Sequence, residues 1–190
     1  MHAITIKDDA KYLRQKSKKV NFKNKDYLED VKKLEEYCLN HDVFAMAAIQ
    51  IGIPKRIIYL KNTDLDKVED KDWNEAQVLI NPIIKKRVGL TTFWEACASC
   101  LDNMGLVKRP YEIELEYYDI NGNLNTKIFK DFESTVLSHE YDHLDGILHI
   151  DIADKIMIMK ADDRKEFRKK EPYNVIYKEG DYEVLKNEYL

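Results

Sequence analysis

Apolar residues recur at helical spacing through Tyr27, Leu28, Val31, Leu34 and Cys38, with charges filling the positions between them. Residues 26–39 are therefore expected to form an amphipathic helix. Residues 44–50 are small and apolar, and the Gly52-Ile53-Pro54 turn leads into a short strand expected over residues 56–60. Apolar runs at residues 78–80 and 83–84 flank Asn81-Pro82, where a residue that cannot donate to a ladder suits an edge or bulged strand. Residues 113–119 alternate apolar and acidic, Asn121-Gly122 signals a hairpin turn, and residues 124–130 return as its second strand. Residues 62–75 are acidic with little periodicity and read as a solvated surface loop. Helical spacing resumes at Val136, Leu137, Leu144, Ile147 and Leu148, the mark of a core-facing helix. Beyond it, residues 164–170 form a basic stretch in an expected helix, and residues 173–190 are expected to form a hairpin around Lys178-Glu179-Gly180-Asp181. Strands preceding one central helix point to an α+β fold, with mostly antiparallel sheet wrapped around that helix.

No repeat or linker divides the chain, and its 190 residues suit one domain over 1–190. At 44% hydrophobic and 35% charged it has enough apolar surface to build a core. The net charge of -4 argues against a general nucleic-acid binder, so no DNA partner is expected. No stretch has the length of a membrane span, and Met1 to Asp9 lacks the apolar run of a signal peptide; a cytoplasmic location is expected. The three cysteines, Cys38, Cys97 and Cys100, are an odd count that does not suit a disulfide framework.

The second helix carries Ser138-His139-Glu140-Tyr141-Asp142-His143, the H-E-x-x-H pattern. Side chains four apart share a helical face, so His139 and His143 can bind one metal ion while Glu140 reaches its open side. The chemistry this proposes is metal-assisted hydrolysis. A catalytic metal takes three protein ligands and keeps a position open for water, so a third ligand is needed from elsewhere. Cys97 and Cys100 are the candidates, although C-x-x-C spacing also suits a redox pair or half of a structural zinc site. His149, six residues after His143, falls on the opposite face if the helix continues. That weakens a zincin-like endopeptidase reading, which needs a third ligand downstream.

Three ordered segments resemble those of the peptide deformylases: Val43-Phe44-Ala45-Met46-Ala47-Ala48-Ile49-Gln50, Glu95-Ala96-Cys97-Ala98-Ser99, and Ser138 to Gly146. The family forms are G-x-G-h-A-A-x-Q, E-G-C-h-S and Q-H-E-x-D-H, with h apolar. Leu13-Arg14 and Val107-Lys108-Arg109-Pro110 also look familial, so the likeness runs from about residue 4 to residue 151. It selects Cys97 as the third ligand beside His139 and His143. It implies Fe(II) as the native ion, with zinc, nickel or cobalt able to replace it, although ligand softness alone favours zinc. It implies a formyl-methionyl peptide substrate, with Glu140 as general base and with the Gln50 amide and Ala98 N–H stabilising the developing oxyanion. Glu95 and Arg109 occupy the positions of a supporting ion pair. Ala45, Met46, Phe132, Thr135 and Val136 are the residues expected to line the substrate pocket.

The sequence departs from the family pattern at Val43, Ala45, Ala96, Ala98 and Ser138, positions that shape the channel without supplying a ligand or the base. Two other functions stay open on that account: a low-turnover metal-binding homologue that recognises peptide N-termini, and a hydrolase of another small amide. Because related deformylases act on nascent chains, Arg164, Lys165, Arg168, Lys169 and Lys170 are candidates for a ribosome contact; otherwise they form a solvated face.

Overall fold

The structure is a computed structural model that describes residues 2–61 and 77–189; the loop expected over residues 62–75 lies outside the described residues. Helix α1 (Ile6–Leu13) is followed by α2 (Tyr27–Asn40), which buries Tyr27, Val31, Leu34 and Cys38 as the spacing requires and leaves Leu28 exposed. Its apolar face closes one core against Ile57 and Tyr59 of β2 (Ile57–Leu60), Ile80, and Met46 of β1 (Ala45–Ala47). Full burial of each such side chain contributes about 1.5–3 kcal/mol, which is what holds a helix whose other face is charged.

The sheet is organised by β3 (Gln77–Glu95), a strand of 19 residues. Its first half lies between β2 and β5 (Glu112–Tyr118), and β5 continues to β6 (Leu124–Lys130) as the expected hairpin. The pairing with β5 slips between Ile80 and Ile83, at the Asn81-Pro82 step where a bulge was expected. Asn81 takes φ 51 there, and its side chain bonds both backbone groups of Val20 at 2.8 and 3.0 Å. The second half of β3 pairs with β4 (Asn103–Arg109), which in turn pairs with β7 (Lys155–Ile158). All of these pairings are antiparallel.

Helix α3 (Asp131–Leu144) lies on the sheet and sends Leu137 and Leu144 into a second core with Phe129, Ile113 and Leu115. Unlike α2, it also turns Thr135, Ser138, His139, Glu140 and His143 inward. The expectation that helical spacing continues past Leu144 is corrected. Arg56 donates to the Leu144 carbonyl at 3.3 Å and to Asp145 Oδ1 at 2.7 Å, and Ser17 N–H donates to the same carbonyl at 2.8 Å, so the last carbonyl of the helix is taken by groups from outside it. Gly146 then takes φ 75, and a Cβ there would stand 2.3 Å from the Arg14 carbonyl oxygen. The chain reverses at this glycine and starts a separate short helix, α4 (His149–Ile152).

The C-terminal segment is also corrected. After α5 (Ala161–Lys170), β8 (Asn174–Asp181) adds to β3, but among the described residues no second hairpin strand follows; the chain enters α6 (Tyr182–Glu188). Asp181 caps that helix by accepting from Val184 N–H at 3.1 Å, and the buried Tyr182 hydroxyl donates to the Lys108 carbonyl at 3.0 Å. With β3 as its partner, β8 needs no hairpin mate. Among the described residues, no helix is long and apolar enough to cross a membrane.

Candidate active site

The inward face of α3 meets two short 3-10 turns, Ala48–Ile51 after β1 and Ala98–Cys100 after β3. These three elements bring the separated motifs to one cleft of about 320 Å³. Cys97, at the head of the second turn, places its sulfur with the ring nitrogens of His139 and His143, and the three donor atoms lie within 4.8 Å of one another.

The carboxylate of Glu95 fixes this geometry. Its Oε2 lies 2.8 Å from His139 Nδ1, so that nitrogen carries a proton and Nε2 is the ring atom left to ligate an ion. Arg109 donates to both oxygens of Glu95, at 2.7 and 2.9 Å, and also pairs with Asp142. Burial pushes the Glu95 carboxyl up, but the charge and hydrogen bonds of Arg109, with those of His139, outweigh it and hold the acid well below its usual range. The ion pair expected from the resemblance is thus present, and it is joined to a metal-ligand candidate.

Nε2 of His143 stands 3.2 Å from Nε2 of His139. Two nitrogens bound tetrahedrally to one ion at 2.0–2.1 Å sit about 3.3 Å apart, so the spacing fits a shared ion. The third donor fits as well. A hydrogen bond from Cys100 lowers the Cys97 thiol well below its ordinary range; burial opposes this, and His139 and His143 reinforce it. The thiolate is the form that ligates metal.

Glu140 lines the cleft beside this group and accepts from Ala47 N–H at 2.8 Å. Burial raises its carboxyl above the usual value against the opposing influence of His139 and His143. Gln50 also accepts from Ala47 N–H, at 3.1 Å, which turns its amide nitrogen toward Ser99 Oγ at 3.2 Å and toward the turn that begins with Ala98. The opening N–H groups of such a turn have no partner within it. The cleft therefore gathers three donor atoms for a metal, a carboxylate, and amide donors.

Ala45, Met46, Phe132, Thr135 and Val136 all line the cleft. Four neighbours of the site were not foreseen, and of these Phe93 and Arg168 line the cleft itself. Phe93 packs edge-on to Phe132 at 5.1 Å, and Tyr173 packs on Phe132 at 5.4 Å, which makes an aromatic wall. Arg168 lies over the Phe93 ring at 4.9 Å, donates to the Trp94 carbonyl at 3.1 and 3.3 Å, and borders the opening. His149 is not turned away: its ring centroid lies 5.5 Å from that of His139. Asp145-Gly146 was the available signal, since a glycine one step past a helix end marks its stop. Arg168 and Tyr173 follow only from tertiary packing of the C-terminal segment.

The sequence model of the polypeptide deformylase family matches residues 2–158. The peptide deformylase of Pelagibacter ubique is 40% identical over 119 residues, 60% of this chain and 66% of that protein. The peptide deformylase of Finegoldia magna is 33% identical over 152 residues, 80% of this chain and 88% of that one. Among solved structures, a probable peptide deformylase from Synechococcus phage S-SSM7 superposes with a TM-score of 0.67 at 31% identity, covering 80% of this chain and 98% of that one. A peptide deformylase from Synechococcus elongatus in complex with actinonin gives 0.69 at 26% identity, covering 90% and 85%. Residues 159–189, which carry Arg168 and Tyr173, lie beyond the family match.

Proposed function

The chain belongs to the polypeptide deformylase family, and from that premise we propose that it is a metal-dependent hydrolase that removes the formyl group from the N-terminal methionine of newly made polypeptides. The observation that carries this reading is the grouping of Cys97, His139 and His143 at the cleft that Glu140 and Gln50 line. We assign Cys97, His139 and His143 as the ligands. The family resemblance supports Fe(II) as the ion, with zinc, nickel and cobalt able to use the same donors.

When bound, the ion supplies Lewis acidity to a water molecule and to the formyl oxygen. Glu140 holds the proton taken from the attacking water at a carboxylate oxygen and delivers it to the departing amine nitrogen, so that one water and one formamide become formate and a free amine. The Gln50 amide nitrogen and the Ala98 N–H stabilise the charge that develops on the formyl oxygen; both are fixed before the reaction by the turns that carry them. The methionine side chain fits between Met46, Val136 and the Phe132 ring, with Thr135 at the pocket floor and the peptide running beside Ala45.

The same reading places residues 1–190 in one cytoplasmic domain that works close to the ribosome. Of the basic residues on α5, Arg164 donates to the Met159 and Leu101 carbonyls and Arg168 to Trp94, while Lys165, Lys169 and Lys170 stay exposed. The lysines are therefore the part of this segment suited to ribosomal RNA, and neutralising all three is expected to weaken ribosome co-sedimentation in a salt-dependent way.

The test of the function is formate release from a formyl-Met tripeptide by iron-loaded protein purified without oxygen. Turnover that is lost on chelation and restored by iron supports the reading. Metal uptake without formate release contradicts it.

A further inference from the structure

Cys97 belongs to two groups of donors. The second contains Cys100 and His149, and these three donor atoms also lie within 4.8 Å of one another. Cys100 and His149 are buried, at 0% and 1% exposure. The C-x-x-C spacing that admitted half of a zinc site in the sequence thus finds a third donor where α4 begins. His149 reaches this point because Gly146 ends α3 and because Gly105 leaves room beside it: a Cβ on Gly105 would stand 3.1 Å from the imidazole Cδ2.

The ring of His149 is set as a ligand's ring is set. Its Nε2 lies 3.3 Å from the Asn103 carbonyl oxygen, which can only accept, so the proton sits on Nε2 and the lone pair on Nδ1. Nδ1 is buried and has no hydrogen-bond partner among the described residues. A histidine that donates one ring N–H to a backbone carbonyl and keeps the other nitrogen unpartnered has the outer support typical of a metal ligand. Two sulfurs and an imidazole are a donor set for a soft or borderline ion.

We propose that Cys97, Cys100 and His149 form a second site for a zinc-class ion, overlapping the first through the Cys97 sulfur and independent of His143. Zinc binding here releases the Cys100 thiol proton to solvent and makes two zinc–thiolate bonds and one zinc–nitrogen bond, with a fourth position left for water. Zinc ligand atoms bound tetrahedrally sit about 3.3–3.8 Å apart, so the donors need to close by no more than about an ångström. The consequence is direct: an ion in this site draws on the same thiolate that the first site uses.

The test uses the full-length protein stripped of metal and titrated with cobalt(II), then with zinc. His143→Ala removes a donor from the first site only, and this variant is expected to bind one ion with the charge-transfer intensity of two thiolates. Adding Cys100→Ser should halve that intensity and lower affinity by more than a hundredfold. The size of the loss separates roles, because losing an outer-shell hydrogen-bond donor costs about 10- to 100-fold. His149→Gln in the same background provides an independent check on the nitrogen ligand. Failure of His143→Ala to bind an ion while it retains the wild-type fold by circular dichroism would overturn the site. An unchanged two-variant spectrum would also overturn it and leave Cys100 as a hydrogen-bond donor to Cys97. Deformylation does not enter these readouts, so this site and the proposed activity stand or fall separately.

Discussion

Glu95 Oε2 and His139 Nδ1 stand 2.8 Å apart, and the same carboxylate is gripped by Arg109 through two further bonds. One buried acid thus joins β3, β4 and α3 and sets the tautomer of a metal-ligand candidate. Glu95 is a positioning residue: it acts on the ion through His139.

Glu95→Gln keeps the shape but removes the negative charge. Arg109 then lacks one of its two partner carboxylates in a buried setting, a change expected to cost about 3–5 kcal/mol. Metal affinity should fall about 10- to 100-fold, since the ring exchanges a charged acceptor for the weaker neutral oxygen of an amide. Denaturant unfolding and metal titration check the two effects separately, and an unchanged affinity would show that the charge of Glu95 is not needed to hold His139 as a ligand.

The turn after α3 gives a prediction about stability. Gly146→Ala places a methyl group in the left-handed region at φ 75 and against the Arg14 carbonyl oxygen. The backbone strain alone is worth about 1–3 kcal/mol, and the clash adds to it. A chain of this size loses about 2–4 °C of melting temperature per kcal/mol, so calorimetry of the metal-free protein should show a fall of several degrees. A melting temperature equal to that of the wild type would mean that the Arg14 segment is free to move aside.

Much of this arrangement was legible in the sequence, and the failures share a physical cause. The helix carrying His139 and His143, the α2 face and the Asn121-Gly122 hairpin are set by local periodicity and turn chemistry, which a single chain displays. The three separated motifs were ordered by family likeness, since no local pattern states that Gln50, Cys97 and His139 meet. His149 was misplaced because apolar Ile147 and Leu148 happen to continue the helical spacing, while the stop is imposed by Gly146 against Arg14 and by Arg56 at the helix end. The end of the chain was misread for a similar reason. Whether residues 182–188 become a strand or a helix depends on the cap at Asp181 and on the Tyr182 contact with Lys108, and β3 is distant in sequence.

The C-terminal segment contributes to the cleft from outside the region that matches the family, which makes Arg168 a specificity candidate. Its guanidinium spans Phe93 and the Trp94 carbonyl at the border of the opening. Arg168→Ala should raise KM for formyl-Met peptides while kcat changes little, because a contact to the peptide away from the formyl group is made equally in the ground and transition states. Steady-state kinetics on tripeptides and longer peptides will show this. A fall in kcat with unchanged KM would instead tie Arg168 to the chemistry.

The most direct test of the central claim is a comparison of Glu140→Gln with the wild type, both loaded with iron without oxygen and assayed side by side for metal content and for formate released from a formyl-Met tripeptide. The amide keeps the size of the side chain but cannot take up the water's proton. Near-full metal occupancy is expected, with a loss of about 10²–10⁴-fold in turnover. Formate release close to the wild-type rate at full occupancy would contradict it and remove Glu140 as the general base.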